Sequence, residues 1–263
     1  SEIAQYFNDP RQYIISKLQS IYDSNPNNIK LRQNLKQTAE YIKNTPVREI
    51  DADTLYKDYS KYLSKEDRKI LKNLINSDKL TNNYTDIEQD LLQSYSKSSG
   101  PVITAYNRKA TTNFSNIKID GTNINAINDY IGRSFGDIGK YTKLSDYLDV
   151  DKFVTALDNI IDKSPALQDD LIVYRSIGDI FLDGNKITTY DIGTRFNDQA
   201  FVSTSVIPKN ISTKSPICLE IEVPKGTKAL YLEKFTGVKN YGQQELLLGR
   251  NHEFEIIAPL EHN

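Results

Sequence analysis

Apolar residues in the first 160 positions recur at spacings of three and four, the signature of helices with one buried face. Tyr13, Ile14, Leu18, Ile21 and Tyr22 form one stripe, ended by Asn25-Pro26. Leu31, Leu35, Ala39 and Ile42 form a second, stopped by Thr45-Pro46. Ser64-Lys65-Glu66-Asp67 supplies an N-cap ahead of Ile70, Leu71, Leu74 and Ile75. Thr85-Asp86-Ile87-Glu88 has the form of a capping box, in which threonine and glutamate each satisfy a free amide of the first turn. It opens a helix bearing Leu91, Leu92 and Tyr95. Ser99-Gly100-Pro101 is expected to break that helix, with Pro101 suited to the first turn of the next. Residues 113–149, rich in Asn, Asp, Gly and Ser, read as a loop-rich insertion with short helices. Val150, Phe153, Val154, Leu157, Ile160 and Ile161 mark a further amphipathic helix.

After Pro165 the texture changes to short strands. They are expected at Leu171–Tyr174, Ala200–Val206, Ile217–Val223, Lys228–Leu232, Glu245–Leu248 and Glu253–Ile257. Helices first and strands later indicate an α+β fold with largely antiparallel sheets. No internal repeat is visible.

Composition narrows the function classes. Hydrophobic residues make up 38% and charged residues 26%, which fits a globular chain. The net charge of −2 gives no support for binding a nucleic-acid backbone. Cys218, the only cysteine, lies in the run Ile217-Cys218-Leu219, so a buried thiol is expected. One Cys and two His argue against a metal site. No stretch approaches the ~18 apolar residues that span a bilayer. The chain starts at Ser1 and lacks methionine, as a processed protein or an excised fragment would.

Three segments of the strand-rich half carry candidate chemistry: Val173-Tyr174-Arg175-Ser176, Ser203-Thr204-Ser205, and Tyr241-Gly242-Gln243-Gln244-Glu245 ahead of Leu246-Leu247-Leu248. In an extended segment, residues two apart share a face, so Gln243 and Glu245 project into one cleft. A carboxylate steadies a sugar cation forming at an anomeric carbon. An amide beside it recognises an incoming side chain by donating and accepting hydrogen bonds. An Arg offers a forked donor to a diphosphate. A Ser on a neighbouring strand holds the carboxylate in place. None of these is specific alone: each occurs on ordinary strand edges and polar faces. The signal is the ordered set.

That set resembles the signature of mono-ADP-ribosyltransferase toxins of the arginine–serine–glutamate class. It is most similar to the Rho-modifying clostridial exoenzymes and the enzymatic subunits of binary toxins. Ala200-Phe201-Val202-Ser203-Thr204-Ser205, Val223-Pro224-Lys225-Gly226-Thr227-Lys228-Ala229 and Gln243-Gln244-Glu245-Leu246-Leu247-Leu248-Gly249-Arg250 carry the resemblance, which is good from about Leu171 onward. It implies an ADP-ribosyltransferase fold, with N-terminal helices packed on two mainly antiparallel sheets that form an NAD cleft. It also implies a helical extension over 1–48 and a catalytic domain over 49–263. NAD is then a substrate, with no metal.

The same resemblance makes Glu245 the catalytic glutamate, Ser203 its orienting partner and Arg175 an NAD-phosphate ligand. Thr204 and Ser205 fall in the cofactor-binding strand. Gln243 engages the acceptor, and the loop from Phe235 to Gly242, with Tyr241, recognises the target protein. A second Arg, from a helix, is expected at the NAD phosphate: Arg108 in Tyr106-Asn107-Arg108 is the best match, with Asn107 beside it, and Arg133 is the competitor. Two departures stand out. Ser176 replaces the usual glycine, and residues 207–215 lack the expected Phe and Arg. Gln at position 243 implies a neutral amide acceptor, asparagine or glutamine, with asparagine the preferred reading, on a Rho-type GTPase or a cytoskeletal protein. The alternatives are a degenerate binding module and an NAD glycohydrolase without a protein target. A bacterially secreted protein acting in the host cytosol is implied, with a separate or upstream translocation component as a possible partner of the N-terminal helices.

Overall fold

The computed structural model describes residues 10–46, 49–78, 84–114, 116–177, 181–182, 185–186, 190–208, 217–235 and 244–259. Eight α-helices occur among them: α1 (Pro10–Ser24), α2 (Ile29–Asn44), α3 (Ala52–Tyr59), α4 (Lys65–Asp78), α5 (Asp86–Ser94), α6 (Gly100–Arg108), α7 (Ile124–Asp137) and α8 (Val150–Asp162). The strands are β1 (Thr111–Phe114), β2 (Ile117–Asp120), β3 (Leu171–Ile177), β4 (Phe181–Leu182), β5 (Asn185–Lys186), β6 (Arg195–Asp198), β7 (Val202–Ser205), β8 (Ile217–Val223), β9 (Ala229–Tyr231), β10 (Glu245–Leu248) and β11 (His252–Glu255). Five strands form an antiparallel sheet in the order β8-β3-β7-β10-β9, and β11 pairs with β6 in a separate ribbon. The fold is α+β, as expected.

The alternation of the strands divides the core. Val202, Leu246, Leu248, Ala229 and Tyr231 belong to one buried cluster, with Ile70 and Leu74 of α4. Phe201, Leu247, Leu230 and Leu232 belong to another, with the buried stripes of α5 to α8. This is the period-two rule at work: neighbours along a strand face opposite layers. Helix α4 is two-sided, since Leu71 and Ile75 join a third cluster with Ile14, Leu18, Leu35 and Ile42. The N-terminal helices are therefore packed onto the remainder through α4. Lys17 and Tyr13 of α1 both bind the Asp67 carboxylate, at 2.7 and 3.1 Å.

Several local signals read from the sequence appear in the coordinates. Glu88 N–H donates to Thr85 Oγ1 at 3.3 Å and Thr85 N–H to Glu88 Oε2 at 2.9 Å, completing the capping box. Asp67 N–H donates to Ser64 Oγ at 3.0 Å.

Three expectations are corrected. Ser99-Gly100-Pro101 does not break the helix. The chain passes from α5 into α6 through a π-helical turn, Tyr95–Ser99, in which Gly100 N–H reaches Tyr95 O, five residues back. Pro101 needs no amide donor there, and Ser94, Ser99 and Ser134 satisfy one another inside the core at 2.7–3.1 Å. Residues 113–149 are not a loop-rich insertion. They complete the β1–β2 hairpin and contain the 14-residue helix α7, whose Ile127, Ile131 and Phe135 are buried. The Asn and Asp that suggested loops include Asn123, which caps α7 by accepting from Ala126 N–H. Cys218 is exposed, because β8 is an edge strand whose alternate residues Cys218 and Glu220 face outward. No described helix is long and apolar enough to cross a membrane.

Leu35 is 2% exposed within the third cluster. Leu35→Ala should lower stability by about 2–5 kcal/mol, read by urea denaturation as one transition shared by helical and strand signals. Early, separate loss of helix with the strand signal unmoved would show that the third cluster does not couple the two parts.

Candidate active site

The cross-strand register of β7 and β10 places Glu245 opposite Ser205 and Leu247 opposite Ser203. Ser203 and Glu245 thus lie diagonally on one face, within reach of each other. Ser203 Oγ donates to Glu245 Oε1 at 2.7 Å. Glu245 is 8% exposed, so one carboxylate oxygen is fixed in a largely dry setting. Thr204 faces the other layer and donates to Leu246 O at 2.7 Å, fastening β7 to β10. Ser205 Oγ turns back on its own chain, donating to Ile207 O at 3.0 Å and accepting from Ile207 N–H at 3.1 Å. The two outer hydroxyls of Ser-Thr-Ser are thus divided: Ser203 holds the carboxylate and Ser205 the end of the strand.

Two side chains that sequence reasoning did not single out as site residues complete this corner. Tyr95, in the π turn, is 4% exposed and packs edge-on against Phe201 at 5.9 Å. Burial first, and then the nearby Glu245 charge, push its pKa well above the ordinary tyrosine value, against the opposing influence of the Ser203 and Thr104 side chains. Tyr95 therefore remains neutral beside Ser203. Glu233 supports β10 from behind, accepting from Gln244 N–H at 3.0 Å and also from Glu245 N–H. Gln244 needs such support. Its φ of 51° is in the left-handed region, unusual for a residue with a side chain, and it is fully buried. Burial raises the Glu233 pKa, against the pull of those two amides.

The cationic part of the site lies beside this corner. A cavity of about 970 Å³ is lined by Arg108 at the end of α6, Arg175 of β3, and Asn197, Asp198 and Gln199 at the end of β6, with Phe196 and Phe254 on its apolar side. That is at the upper end of the range for small-molecule pockets. Arg108 binds Asp198 bidentately, Nε to Oδ1 at 2.9 Å and Nη2 to Oδ2 at 2.5 Å. Arg175 Nη1 reaches Asp198 Oδ2 at 3.4 Å. Burial lowers the Arg175 pKa and the Arg108 charge lowers it further, while Asp198, Tyr95 and Glu245 oppose the shift. Ser203 and Glu245 do not line the cavity itself. Arg175 joins the two parts electrostatically, being near enough to feel both Asp198 and Glu245.

Of the two candidate helix arginines, Arg108 faces the cavity, whereas Arg133 is exposed on α7 and does not line it. Asn107 turns away from the cavity; its Oδ1 accepts from Arg250 Nη1 at 3.4 Å, within a network in which Arg250 also pairs with Asp158. Phe235 packs against the helical core and meets the Tyr84 ring edge-on at 5.0 Å. Gln243 and Tyr241 lie outside the described residues, as does most of the segment 207–215. Among the described residues, no cluster of three or more His, Cys, Asp or Glu side chains is arranged to hold a metal ion.

The model of a family described as ADP-ribosyltransferase exoenzyme matches residues 52–262. The epidermal cell differentiation inhibitor of Staphylococcus aureus is 38% identical over 61 residues, which is 23% of this chain and 25% of the relative. The match thus spans about a quarter of that curated protein. Among solved structures, C3stau2 from S. aureus, determined with NAD, is 24% identical with a TM-score of 0.45, covering 66% of this chain and 79% of that one. Plx2a, an ADP-ribosyltransferase toxin from Paenibacillus larvae, is 20% identical with a TM-score of 0.44, covering 78% and 85%.

Glu233→Ala removes the acceptor of two buried amides at a residue of unfavourable φ. The variant should lose about 1–3 kcal/mol of stability, measured by denaturant unfolding. A loss within about 0.5 kcal/mol, the range of ordinary surface changes, would mean that Glu233 does not anchor the entry to β10.

Proposed function

Because the chain belongs to the ADP-ribosyltransferase exoenzyme family, we propose that it cleaves NAD and transfers ADP-ribose to an asparagine side chain of a host protein, a Rho-type GTPase or a cytoskeletal protein. The observation that carries this reading is the Ser203–Glu245 hydrogen bond, set beside two arginines that line a cavity of about 970 Å³.

In this reading Arg108 and Arg175 bind the NAD diphosphate through their forked donors. Glu245 accepts a ribose hydroxyl and lies close to the anomeric carbon. The bond from that carbon to the nicotinamide nitrogen breaks, and its electron pair leaves with nicotinamide, neutralising the pyridinium. The positive charge then spreads over the anomeric carbon and the ring oxygen, where the Glu245 carboxylate opposes it most strongly. Ser203 and Tyr95 keep that carboxylate in a single orientation, so little reorganisation is needed as charge develops. Gln243 orients the acceptor amide, whose nitrogen attacks the anomeric carbon and loses a proton to restore neutrality.

The remaining assignments follow from the family and the pattern. Phe235 and Tyr241 frame the surface that recognises the target. Residues 49–263 form the catalytic unit, and the helices before them act as an adaptor for a translocation component. The protein is secreted by a bacterium and works in the host cytosol.

Labelling of a host-cell lysate with tagged NAD, followed by mass spectrometry, should find ADP-ribose on asparagine in one protein of these classes. Gln243→Ala should abolish that labelling while nicotinamide release from NAD continues within about threefold of wild type, since only acceptor contacts are removed. Labelling of the target by the alanine variant at the wild-type rate would refute the role of Gln243. Nicotinamide release without labelled protein in any lysate would favour a glycohydrolase.

A further inference from the structure

Asp198 is the only acid among the described residues lining a cavity whose cations are Arg108, Lys109 and Arg175. In a site proposed to bind a diphosphate, a carboxylate in the lining would be expected to repel the ligand. Its contacts explain its presence. Oδ1 accepts from Arg108 Nε and from Ala200 N–H, the latter at 3.0 Å, while Oδ2 accepts from Arg108 Nη2 and Arg175 Nη1. The carboxylate is thus fixed to the backbone and bridges both guanidinium groups. The side chains of Asp198 and Arg175 are only 13% and 16% exposed, against 39% for Arg108. Two guanidinium groups this close repel each other, and the buried one is the more costly to leave uncompensated.

Each guanidinium has five N–H donors. The bonds to Asp198 use two from Arg108 and one from Arg175, which leaves most of both forks for a ligand. A phosphate can therefore bind without displacing the carboxylate. We infer that Asp198 is a positioning residue for the NAD diphosphate: it holds Arg108 and Arg175 in one cradle before the substrate arrives and remains their shared counter-ion afterwards. The inference rests on the function proposed above. It predicts that the carboxylate strengthens binding of an anion, by preorganising the donors at a cost in local charge.

Asp198→Asn keeps the shape and an acceptor for Ala200 N–H while removing the charge. The KM for NAD in nicotinamide release should rise about tenfold or more, the scale of one lost charge-assisted interaction, with kcat within about threefold of wild type. Calorimetric titration of NAD into Glu245→Gln and into the double variant Glu245→Gln/Asp198→Asn should show the same loss of affinity without turnover. An unchanged or lowered KM would overturn the inference, because Asp198 would then be irrelevant to NAD or in competition with it. So would a fall in kcat at unchanged KM. Should the asparagine variant not fold, Asp198→Glu, which retains the charge but displaces it, must raise KM at near-constant kcat or the inference fails. Failure of the function itself looks different: wild type would then release nicotinamide no faster than Glu245→Gln.

Discussion

Strands β7 and β10 meet with Thr204 opposite Leu246 and Ser205 opposite Glu245, and this register brings Ser203 to Glu245. A slip of one residue would turn Ser203 and Glu245 into the layer that holds Val202 and Leu246, and would expel those side chains from their cluster. The register is therefore protected by burial on both faces of the sheet. Leu246, Leu247 and Leu248 are at most 2% exposed and serve the two clusters alternately. Thr204 adds a side-chain bond across the same pair, to Leu246 O. The geometry of the Ser203–Glu245 corner is thus a by-product of core packing. Burying a polar pair there costs less because Ser203 and Glu245 hydrogen-bond each other.

The helices contribute through placement more than through chemistry of their own. The π turn adds a residue's worth of slack between α5 and α6, and Tyr95 stands at its start, turned toward Ser203. Helix α6 then ends at Arg108, with Lys109 in the left-handed conformation that closes it. Directly after it comes the β1–β2 hairpin, and Gly121 at the hairpin's end lies so close that a Cβ would meet Ala105 O at 2.0 Å. Only glycine fits that contact, which fixes the exit of α6 and hence the root of Arg108. With a net charge of −2 for the chain, the positive potential of the cavity is local, made by Arg108, Lys109 and Arg175 against one carboxylate.

Much of this was legible in the sequence where one residue's role depends on its near neighbours. The capping box at Thr85, the stripes of α1, α2, α4 and α8, and the limits of β8 and β10 are local patterns, and they appear as read. Arg175, Ser203 and Glu245 could be picked out as candidates because they form an ordered motif on strands, and the structure brings them near one another. Asp198, Tyr95 and Glu233 were not legible as site residues, because each acts through a partner more than ten positions away: Arg108, Ser203 and Gln244. Nothing in Asn197-Asp198-Gln199 distinguishes it from a polar turn until β6 brings it to the arginines. Helix α7 was hidden by its own polar residues, since Asn123, Asn125 and Asn128 dilute the apolar stripe of Ile127, Ile131 and Phe135. Cys218 was misjudged because an edge strand and a central strand look alike from a three-residue apolar run.

The proposed reaction depends on Glu245 acting on the forming sugar cation. The direct measurement is the rate of nicotinamide release at saturating NAD by Glu245→Gln, which keeps the shape and the bond from Ser203 but loses the charge. The rate should fall by at least about a hundredfold, the scale of removing one preorganised electrostatic contact to a transition state, while the calorimetric affinity for NAD stays within about threefold of wild type. A variant that retains the wild-type rate would contradict the account.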